Sequence, residues 1–279
     1  MRAVLSYGEL MIGTDLADAL SIAVPLDFDG PQPNAFELPP ASAHAVHAGS
    51  FVGDTRAGGT VNCETLTLAP HGNGTHTECI GHLTDERIAV TDALHGGLWL
   101  TATVTIAPVA AAQSAETSVP APRPGDRLVT REALAAALDQ VLVPLAPHDV
   151  VPQALVVRTR PNGADKLNHR YPLEPSAPYF SAEAAAWLVE RDIRHLVTDL
   201  PSIDRSCDDG ALTAHRIFWA VAPGEREAGP EARRQCTVTE LAFIAPMVRD
   251  GLYLMDLQIP AFLCDAAPAR PLLYPATLL

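Results

Sequence analysis

Three histidines and one carboxylate lie within the twelve residues 71–82, which read His-Gly-Asn-Gly-Thr-His-Thr-Glu-Cys-Ile-Gly-His. Neutral imidazole nitrogens and carboxylate oxygens are ligands that Zn²⁺ and Mn²⁺ accept in proteins. The three glycines of the segment allow sharp backbone bends, so side chains with irregular spacing can converge on one point. The segment therefore predicts a divalent metal site that includes His71, His76 and Glu78, with His82 beside it.

The local structure of this segment has two interpretations. If the chain is extended, His76 and Glu78 point to the same face, because they are two residues apart. If Thr77 instead caps a short helix, Glu78 and His82 share a face, because they are four residues apart. His82 is either a general acid/base, since imidazole titrates near neutral pH, or a direct ligand. His71 is either a ligand or a group that orients one.

Composition limits the class of protein. The chain has 279 residues, of which 48% are hydrophobic, and this is enough for a sizeable core in one large or two small domains. A net charge of −14 argues against partners such as nucleic acid or an anionic membrane surface. Five cysteines without a CxxC pair argue against a disulfide framework and suit a reducing compartment. Because the N-terminus also lacks an apolar signal segment, we expect a cytoplasmic protein.

Hydrophobic patterns predict a mixture of strands and helices without strict alternation, typical of a mixed α/β protein. The predicted strands are Thr60–Ala69, Gly97–Val109, Gln153–Thr159, His195–Asp199 and Leu252–Phe262. The predicted helices are Thr130–Val141 and Ser181–Arg191, each with its first residue as N-cap, and Leu212–Val221. Many prolines in residues 1–50 predict an N-terminal arm, which leaves residues 51–279 as one domain.

Several segments resemble the motifs of one known family. Residues 74–82 resemble the G-T-H-x-D-x-x-x-H signature of the cyclase family, which includes bacterial kynurenine formamidases and isatin hydrolases. Residues 199–204 resemble its D-x-P-S-x-D segment, and residues 239–241 resemble its E-N-L segment. His215-Arg216 resembles its A-H-x-x-L helix, and residues 256–270 resemble its closing strand and P-x-R loop. The resemblance runs in order from about Asp15 to the C-terminus.

The sequence departs from the family pattern in three places. Glu78 stands where the family usually has Asp, and His71 stands five residues before His76 where the family has four. Residues 223–235 lengthen the connection between His215 and Glu240 and read as an inserted surface loop.

The resemblance implies a fold, a ligand set and an assembly. The fold is a single domain of the swivelling β/β/α type, with a mixed sheet or barrel-like core and peripheral helices. His215 and Glu240 join His71, His76 and Glu78 as ligands for one or two Zn or Mn ions, and His82 transfers protons. Three further residues are expected to be structural or to hold a ligand histidine in one tautomer: Asp199, Ser202 and Asp204. A homodimer or higher homo-oligomer is also implied.

The same resemblance implies hydrolysis of the C–N bond of a small aryl formamide or cyclic amide. A bound divalent ion lowers the pKa of water toward about 7 and polarises a carbonyl group. Two alternative enzymatic functions use the same site. One is that of a cyclase or dehydratase, and the other is that of a lactone hydrolase, each acting on a small metabolite. A third rival is a non-catalytic, metal-stabilised binding protein, which would have a closed coordination shell. Incorporation of solvent oxygen into the product separates hydrolysis from cyclisation.

Overall fold

A nine-stranded mixed sheet forms the centre of the protein in a computed structural model that describes residues 1–148 and 150–279. The strands are β1 Arg2–Tyr7, β2 Leu10–Asp15, β3 Leu20–Ser21, β4 Ser42–Ala45, β5 His47–Ala48, β6 Phe51–Val52, β7 Glu64–Thr67, β8 His76–Glu78, β9 Leu98–Ile106, β10 Val109–Ala110, β11 Arg127–Val129, β12 Ala154–Thr159, β13 Tyr179–Phe180, β14 His195–Thr198, β15 Thr237–Glu240, β16 Gly251–Asp256, β17 Ala266–Pro268, β18 Leu272–Pro275 and β19 Thr277–Leu278. The α-helices are α1 Val90–Ala93, α2 Arg131–Leu142, α3 Ala182–Glu190 and α4 Thr213–Trp219.

The sheet has parallel strands inside and antiparallel strands at both sides. Its order is β17-β8-β15-β14-β12-β9-β16-β18-β3. The inner strands β15, β14, β12 and β9 are parallel, whereas β8, β17, β16 and β18 pair antiparallel with their neighbours. The sheet curls into a half-barrel, so the predicted mixed α/β domain with a barrel-like core is confirmed.

Both faces of the inner sheet are covered. Every residue of β12 is buried, as expected for a central parallel strand with a continuous apolar sequence. Because side chains alternate across a strand, Leu155 and Val157 join one core while Val156 joins the other. The first core includes Phe218 and Trp219 of α4. Helix α4 is therefore held against the sheet on the face that carries the larger core.

Two helices begin at the residues that the sequence predicts. The hydroxyl of Thr130 accepts from the backbone N–H of Ala133 at 3.2 Å, and Ser181 accepts from that of Ala184 at 2.9 Å. Such N-caps satisfy N–H groups that have no partner inside the helix. Across the described ranges, every helix is too short or too polar to cross a bilayer.

The first 67 residues contain seven short strands. Strands β1 and β2 form a small sheet with the C-terminal strand β19, and β3 joins the edge of the main sheet. The pairs β4–β7 and β5–β6 follow, and all four residues of β7 are exposed. The division into an arm of residues 1–50 and a domain of residues 51–279 stays a prediction.

The structure corrects two predicted elements. The helix interpretation around Thr77 is wrong, because residues 76–78 form strand β8 and Cys79 begins a single 3₁₀ turn over Ile80–His82. The closing strand was predicted too long, since β16 ends at Asp256. Beyond that residue the chain crosses to β17, which lies at the opposite edge of the sheet with five strands between it and β16.

A buried ion pair joins Asp199, which follows β14, to Lys166 in the 3₁₀ turn Ala164–Leu167, and it can be tested by mutation. Asp199 is fully buried and accepts from Lys166 Nζ at 2.7 Å and from the backbone N–H of Thr159 at 2.9 Å. We expect Asp199→Asn to lower the free energy of unfolding by about 3 kcal/mol, because it leaves a mostly buried ammonium without its counter-charge. Urea unfolding measures this change.

The matched control is Asp192→Asn. Asp192 is 69% exposed and pairs with Arg194 at the surface, so this change should have little effect. A loss below about 1 kcal/mol for Asp199→Asn would contradict the structural role of the pair.

Candidate metal centre

Two neighbouring strands bring three of the candidate ligands to one face of the sheet. Strand β8 pairs antiparallel with β15, so that His76 lies opposite Glu240. His76 and Glu78 alternate with Thr77, whose hydroxyl lies 2.7 Å from that of Thr239 on the opposite face. This pairing fixes the register, because a shift by one residue would turn every side chain to the wrong face. The extended interpretation of this segment is therefore the correct one.

His215 reaches the same place from the first turn of α4. Asp204 holds this turn, because its carboxylate accepts from the backbone N–H of Ala214 at 2.7 Å and from that of His215 at 3.1 Å. The same carboxylate lies 2.7 Å from His215 Nδ1, and the ring of Trp219 lies against the imidazole with centroids 5.2 Å apart. The ring of His215 is therefore fixed in position and in tautomer.

In each of the three candidate ligand histidines, one ring nitrogen faces an oxygen atom that does not belong to Glu78 or Glu240. The pairs are His71 Nε2 with Asp265 Oδ2 at 2.9 Å, His76 Nδ1 with the Gly74 carbonyl at 3.0 Å, and His215 Nδ1 with Asp204 Oδ2 at 2.7 Å. Each of these nitrogens must carry hydrogen, because a carbonyl or carboxylate oxygen can only accept. A neutral imidazole has one N–H, so the second nitrogen of each ring carries a lone pair.

The second nitrogen of each ring faces a carboxylate oxygen. The distances are 3.0 Å from His71 Nδ1 to Glu78 Oε2, 2.7 Å from His215 Nε2 to Glu78 Oε1, and 3.6 Å from His76 Nε2 to Glu240 Oε2. Two acceptors at such distances repel unless a cation, either a proton or a metal ion, lies between them. In addition, His76 Nε2 is buried and has no hydrogen-bond partner among the described residues.

The candidate ligand atoms form two overlapping groups, which we call the first and second subsites, and both groups contain Glu78. Ligand atoms of His71, His76 and Glu78 lie within 4.8 Å of one another and form the first subsite. Those of Glu78, His215 and Glu240 satisfy the same limit and form the second subsite. Zinc binds nitrogen and oxygen at about 2.0–2.2 Å, which separates tetrahedral ligands by about 3.4 Å. The donor types and spacings therefore fit one or two divalent ions.

Neighbouring carboxylates raise the pKa of two of these histidines, and burial lowers the pKa of the third. Burial alone would lower the pKa of His71, but hydrogen bonds to Asp265 and Glu78 raise it to about 10. Burial also opposes a charge on His215, yet Glu78 raises its pKa well above the ordinary value. His76 has a pKa of about 4, because it is buried and lies beside the positive charge of His71. Without a metal, two of the three ligand histidines therefore hold an extra proton at neutral pH.

The pKa values of the two buried glutamates are shifted in opposite directions. Burial would raise the pKa of Glu78, but the positive charge of His215 and hydrogen bonds from His215 and His71 hold it well below the usual range. Burial and the neighbouring charge of Glu78 both raise the pKa of Glu240. A bound divalent ion favours the ionised form of both carboxylates.

His82 lies in the wall of a cavity of about 290 Å³ beside the two subsites. Its ring lies against that of His71 with centroids 4.3 Å apart. His82 Nδ1 is 3.3 Å from Asp265 Oδ2 but 3.9 Å from Glu78 Oε2, too far for a hydrogen bond. The other lining residues away from the subsites are Phe36, Ser202, Arg205, Ser206, Asp208 and Leu212. A cavity of this size accepts a small molecule.

A larger groove of about 660 Å³ lies between α2 and the C-terminal strands. Its lining residues include no histidine, and its acidic residue Asp250 is paired with Arg158 at 2.9 Å. We therefore assign the chemistry to the smaller cavity.

The segment 199–204 has mixed roles. Ser202 accepts from the backbone N–H of Asp204 at 3.0 Å and lines the cavity, while Asp204 orients His215. Asp199 instead contacts Thr159 and Lys166, outside both subsites. Four of the predicted ligands line the cavity together with His82, namely His71, Glu78, His215 and Glu240. The fifth, His76, is fully buried and lies within ligand distance of His71 and Glu78 without lining the cavity.

Sequence reasoning missed Asp265, Phe36 and Arg205. Asp265 was included only in a segment assigned to the closing strand and its loop. A usable signal was present, because it is the one charged residue in the apolar run from Ile259 to Ala269. Phe36 comes from a Pro-rich segment, and Arg205 comes from a long loop. Neither segment has a hydrophobic periodicity that indicates which side chains face a cavity.

The shared carboxylate gives a first test of this centre. We expect Glu78→Gln to reduce Zn²⁺ binding at both subsites and Glu240→Gln to reduce it mainly at the second, because Glu78 belongs to both groups of ligand atoms whereas Glu240 belongs to the second group. Elemental analysis of dialysed, Zn-loaded protein measures the metal per chain. Glu86→Gln, which alters a surface pair with Arg234, is the matched control. Full metal content in Glu78→Gln would contradict the shared ligand.

The protons on His71 and His215 give a second test. A metal ion must displace them, so Zn²⁺ affinity should rise with pH, by about tenfold per pH unit for each proton released. Isothermal titration between pH 6 and 8, in buffers of different ionisation enthalpy, measures the affinity and the proton count. The rise should persist in His195→Asn, since His195 has a pKa of about 4 because of burial and is neutral throughout. Binding without proton release would contradict the assigned ligands.

Comparison with known proteins identifies the family. A family model described as "Putative cyclase" matches residues 15–205, more than half of the chain. A comparison with curated proteins gave no match.

Among solved structures, a predicted metal-dependent hydrolase from Bacillus stearothermophilus is 15% identical, with a TM-score of 0.56 over 92% of this chain and 97% of the other. Isatin hydrolase A from Labrenzia aggregata is 17% identical, with a TM-score of 0.56 over 92% and 93%. Isatin hydrolase A from Ralstonia solanacearum is 16% identical, with the same TM-score over 92% of each chain. The chain therefore belongs to the cyclase family.

Proposed function

We propose that this protein is a metal-dependent hydrolase that cleaves the C–N bond of a small aryl formamide or cyclic amide. The observation that carries the proposal is the set of three imidazole nitrogens that face carboxylate oxygens beside a cavity. Similarity in fold to isatin hydrolases supports the cyclic amide as a substrate class.

The metal ligands in this proposal are His71, His76 and Glu78 in the first subsite, with His215 and Glu240 completing the second. A divalent ion, Zn or Mn, held there supplies Lewis acidity, which polarises a carbonyl and makes water acidic near neutral pH. Because Glu78 and Glu240 are buried, water does not solvate their negative charges, and a divalent cation stabilises them. Asp204 keeps His215 in the tautomer that presents Nε2 to the subsite.

His82 is the proton carrier of the proposed reaction. It lines the cavity, and its Nδ1 faces Asp265, so Nε2 is the atom that takes a proton from the attacking water. The same nitrogen then gives the proton to the departing amine or amide nitrogen. The cavity is small, and its lining residues Glu78, His215 and Glu240 are buried.

A substrate panel with two matched variants tests the proposal. We expect wild-type protein loaded with Zn²⁺ or Mn²⁺ to hydrolyse isatin, formanilide or both, and the lactone dihydrocoumarin is included to detect the rival activity. His82→Ala should keep the metal but lose about 10²–10⁴-fold in kcat, because it removes only proton transfer. His76→Ala should lose metal and activity together. Kinetics and elemental analysis on the same samples separate the two effects.

Isotope labelling distinguishes the rivals. Hydrolysis in H₂¹⁸O places one solvent oxygen in the product, whereas a cyclase or dehydratase product gains none. Turnover of dihydrocoumarin alone would favour a lactone hydrolase. Metal binding without turnover of any probe, together with a metal that exchanges no water, would indicate a structural or binding role and contradict the proposal.

A further inference from the structure

Asp265 joins the two histidines that have different roles in the proposed site. Its Oδ2 atom lies 2.9 Å from His71 Nε2 and 3.3 Å from His82 Nδ1. The two rings lie against each other with centroids 4.3 Å apart and an interplanar angle of 34°. One carboxylate oxygen therefore contacts a candidate metal ligand and the candidate proton carrier at the same time.

Asp265 comes from a separate part of the chain. It lies in the connection between β16 and β17, almost two hundred residues after His71, and β17 then pairs with β8. The backbone N–H of Cys79 donates to the Asp265 carbonyl at 3.0 Å, which fixes this residue beside the 3₁₀ turn that carries His82. The position of its carboxylate is therefore set by the sheet.

The geometry determines the tautomers of both rings. An ionised carboxylate only accepts, so His71 Nε2 and His82 Nδ1 must each carry hydrogen. In the neutral rings the lone pairs then lie on His71 Nδ1, which faces Glu78 Oε2 at 3.0 Å, and on His82 Nε2. Among the described residues, Asp265 is the one acceptor within hydrogen-bond distance of His82 Nδ1, since Glu78 Oε2 is 3.9 Å away.

We propose that Asp265 is a positioning residue that selects the Nε2–H tautomer of His71 for metal binding and the Nδ1–H tautomer of His82 for proton transfer. This inference rests on the proposed function, because it assigns His82 as the proton carrier. A competing role is available in the same geometry, since His71, His82 and Asp265 also offer ligand atoms within 4.8 Å. A third metal subsite would make Asp265 a ligand, and metal content separates the two roles.

The direct test is the tautomer of His82 in protein labelled with ¹⁵N-histidine and loaded with Zn²⁺. Long-range ¹H–¹⁵N correlation spectra distinguish Nδ1–H from Nε2–H rings, and the His82 signals are assigned by their loss in His82→Ala. We expect the Nδ1–H form in wild type and a shift toward Nε2–H in Asp265→Ala. Asp265→Asn should retain part of the Nδ1–H form, because its amide oxygen still accepts a hydrogen bond.

Metal content and kinetics complete the experiment. We expect unchanged Zn²⁺ per chain in Asp265→Ala. With a hydrolysed probe, kcat should fall by about 10–100-fold, the usual cost of removing a group that orients a metal ligand. KM should stay within about twofold, since substrate contacts are unchanged. Asp256→Asn, at the end of β16 and in contact with Gln258, is the matched control and should behave as wild type.

Two results would overturn the inference. An unchanged His82 tautomer in Asp265→Ala would show that the carboxylate does not select it. Loss of one metal equivalent in Asp265→Ala and in Asp265→Asn would make Asp265 a ligand. Because the spectra and the metal analysis need no substrate, failure of wild type to hydrolyse any probe would count against the proposed hydrolase and leave the tautomer result as a separate finding.

Discussion

The Glu78 carboxylate between two imidazoles is the interaction on which the rest of this site depends. One oxygen faces His71 Nδ1 and the other faces His215 Nε2, and the opposite nitrogen of each ring is engaged by a second carboxylate. Such an arrangement is stable only with cations between the nitrogens and Glu78. The protein supplies protons when no metal is bound, and a divalent ion can replace them.

Strand pairing and the start of helix α4 hold Glu78 and its partner histidines in place. The pairing of β8 with β15 and β17 sets which face His76 and Glu78 occupy, and the Thr77–Thr239 contact on the opposite face holds that register. Helix α4 adds His215 because Asp204 binds the first turn and the ring together. Three separate parts of the chain thus meet at one carboxylate, and a change of register at any of them would leave a charge buried without a partner.

Much of this arrangement could be predicted from the sequence because it is local or follows a periodic pattern. The spacing of His76 and Glu78 on an extended segment, the caps Thr130 and Ser181 and the buried strand β12 all follow from side-chain alternation or capping chemistry. The family motifs added His215 and Glu240, which no pattern within residues 71–82 could have brought into the site.

The rest depends on contacts between distant segments. Asp265 reaches His71 and His82 only because β17 pairs with β8, and the sequence contains no periodicity that announces this pairing. The helix alternative at Thr77 fails for the same reason, since hydrogen bonds to β15 and β17 outweigh the local preference for a cap. Asp199 resembles a site residue in sequence, but the 3₁₀ turn Ala164–Leu167, which follows β12, supplies Lys166 as its partner.

The most direct measurement is a crystal structure of Zn-soaked protein with anomalous diffraction recorded on both sides of the zinc absorption edge. We expect anomalous density next to Glu78, on the side of His71 and His76, on the side of His215 and Glu240, or on both. Binding of Zn²⁺ only to surface carboxylates, with His71 and His215 still hydrogen-bonded to Glu78, would contradict a metal centre built on this carboxylate.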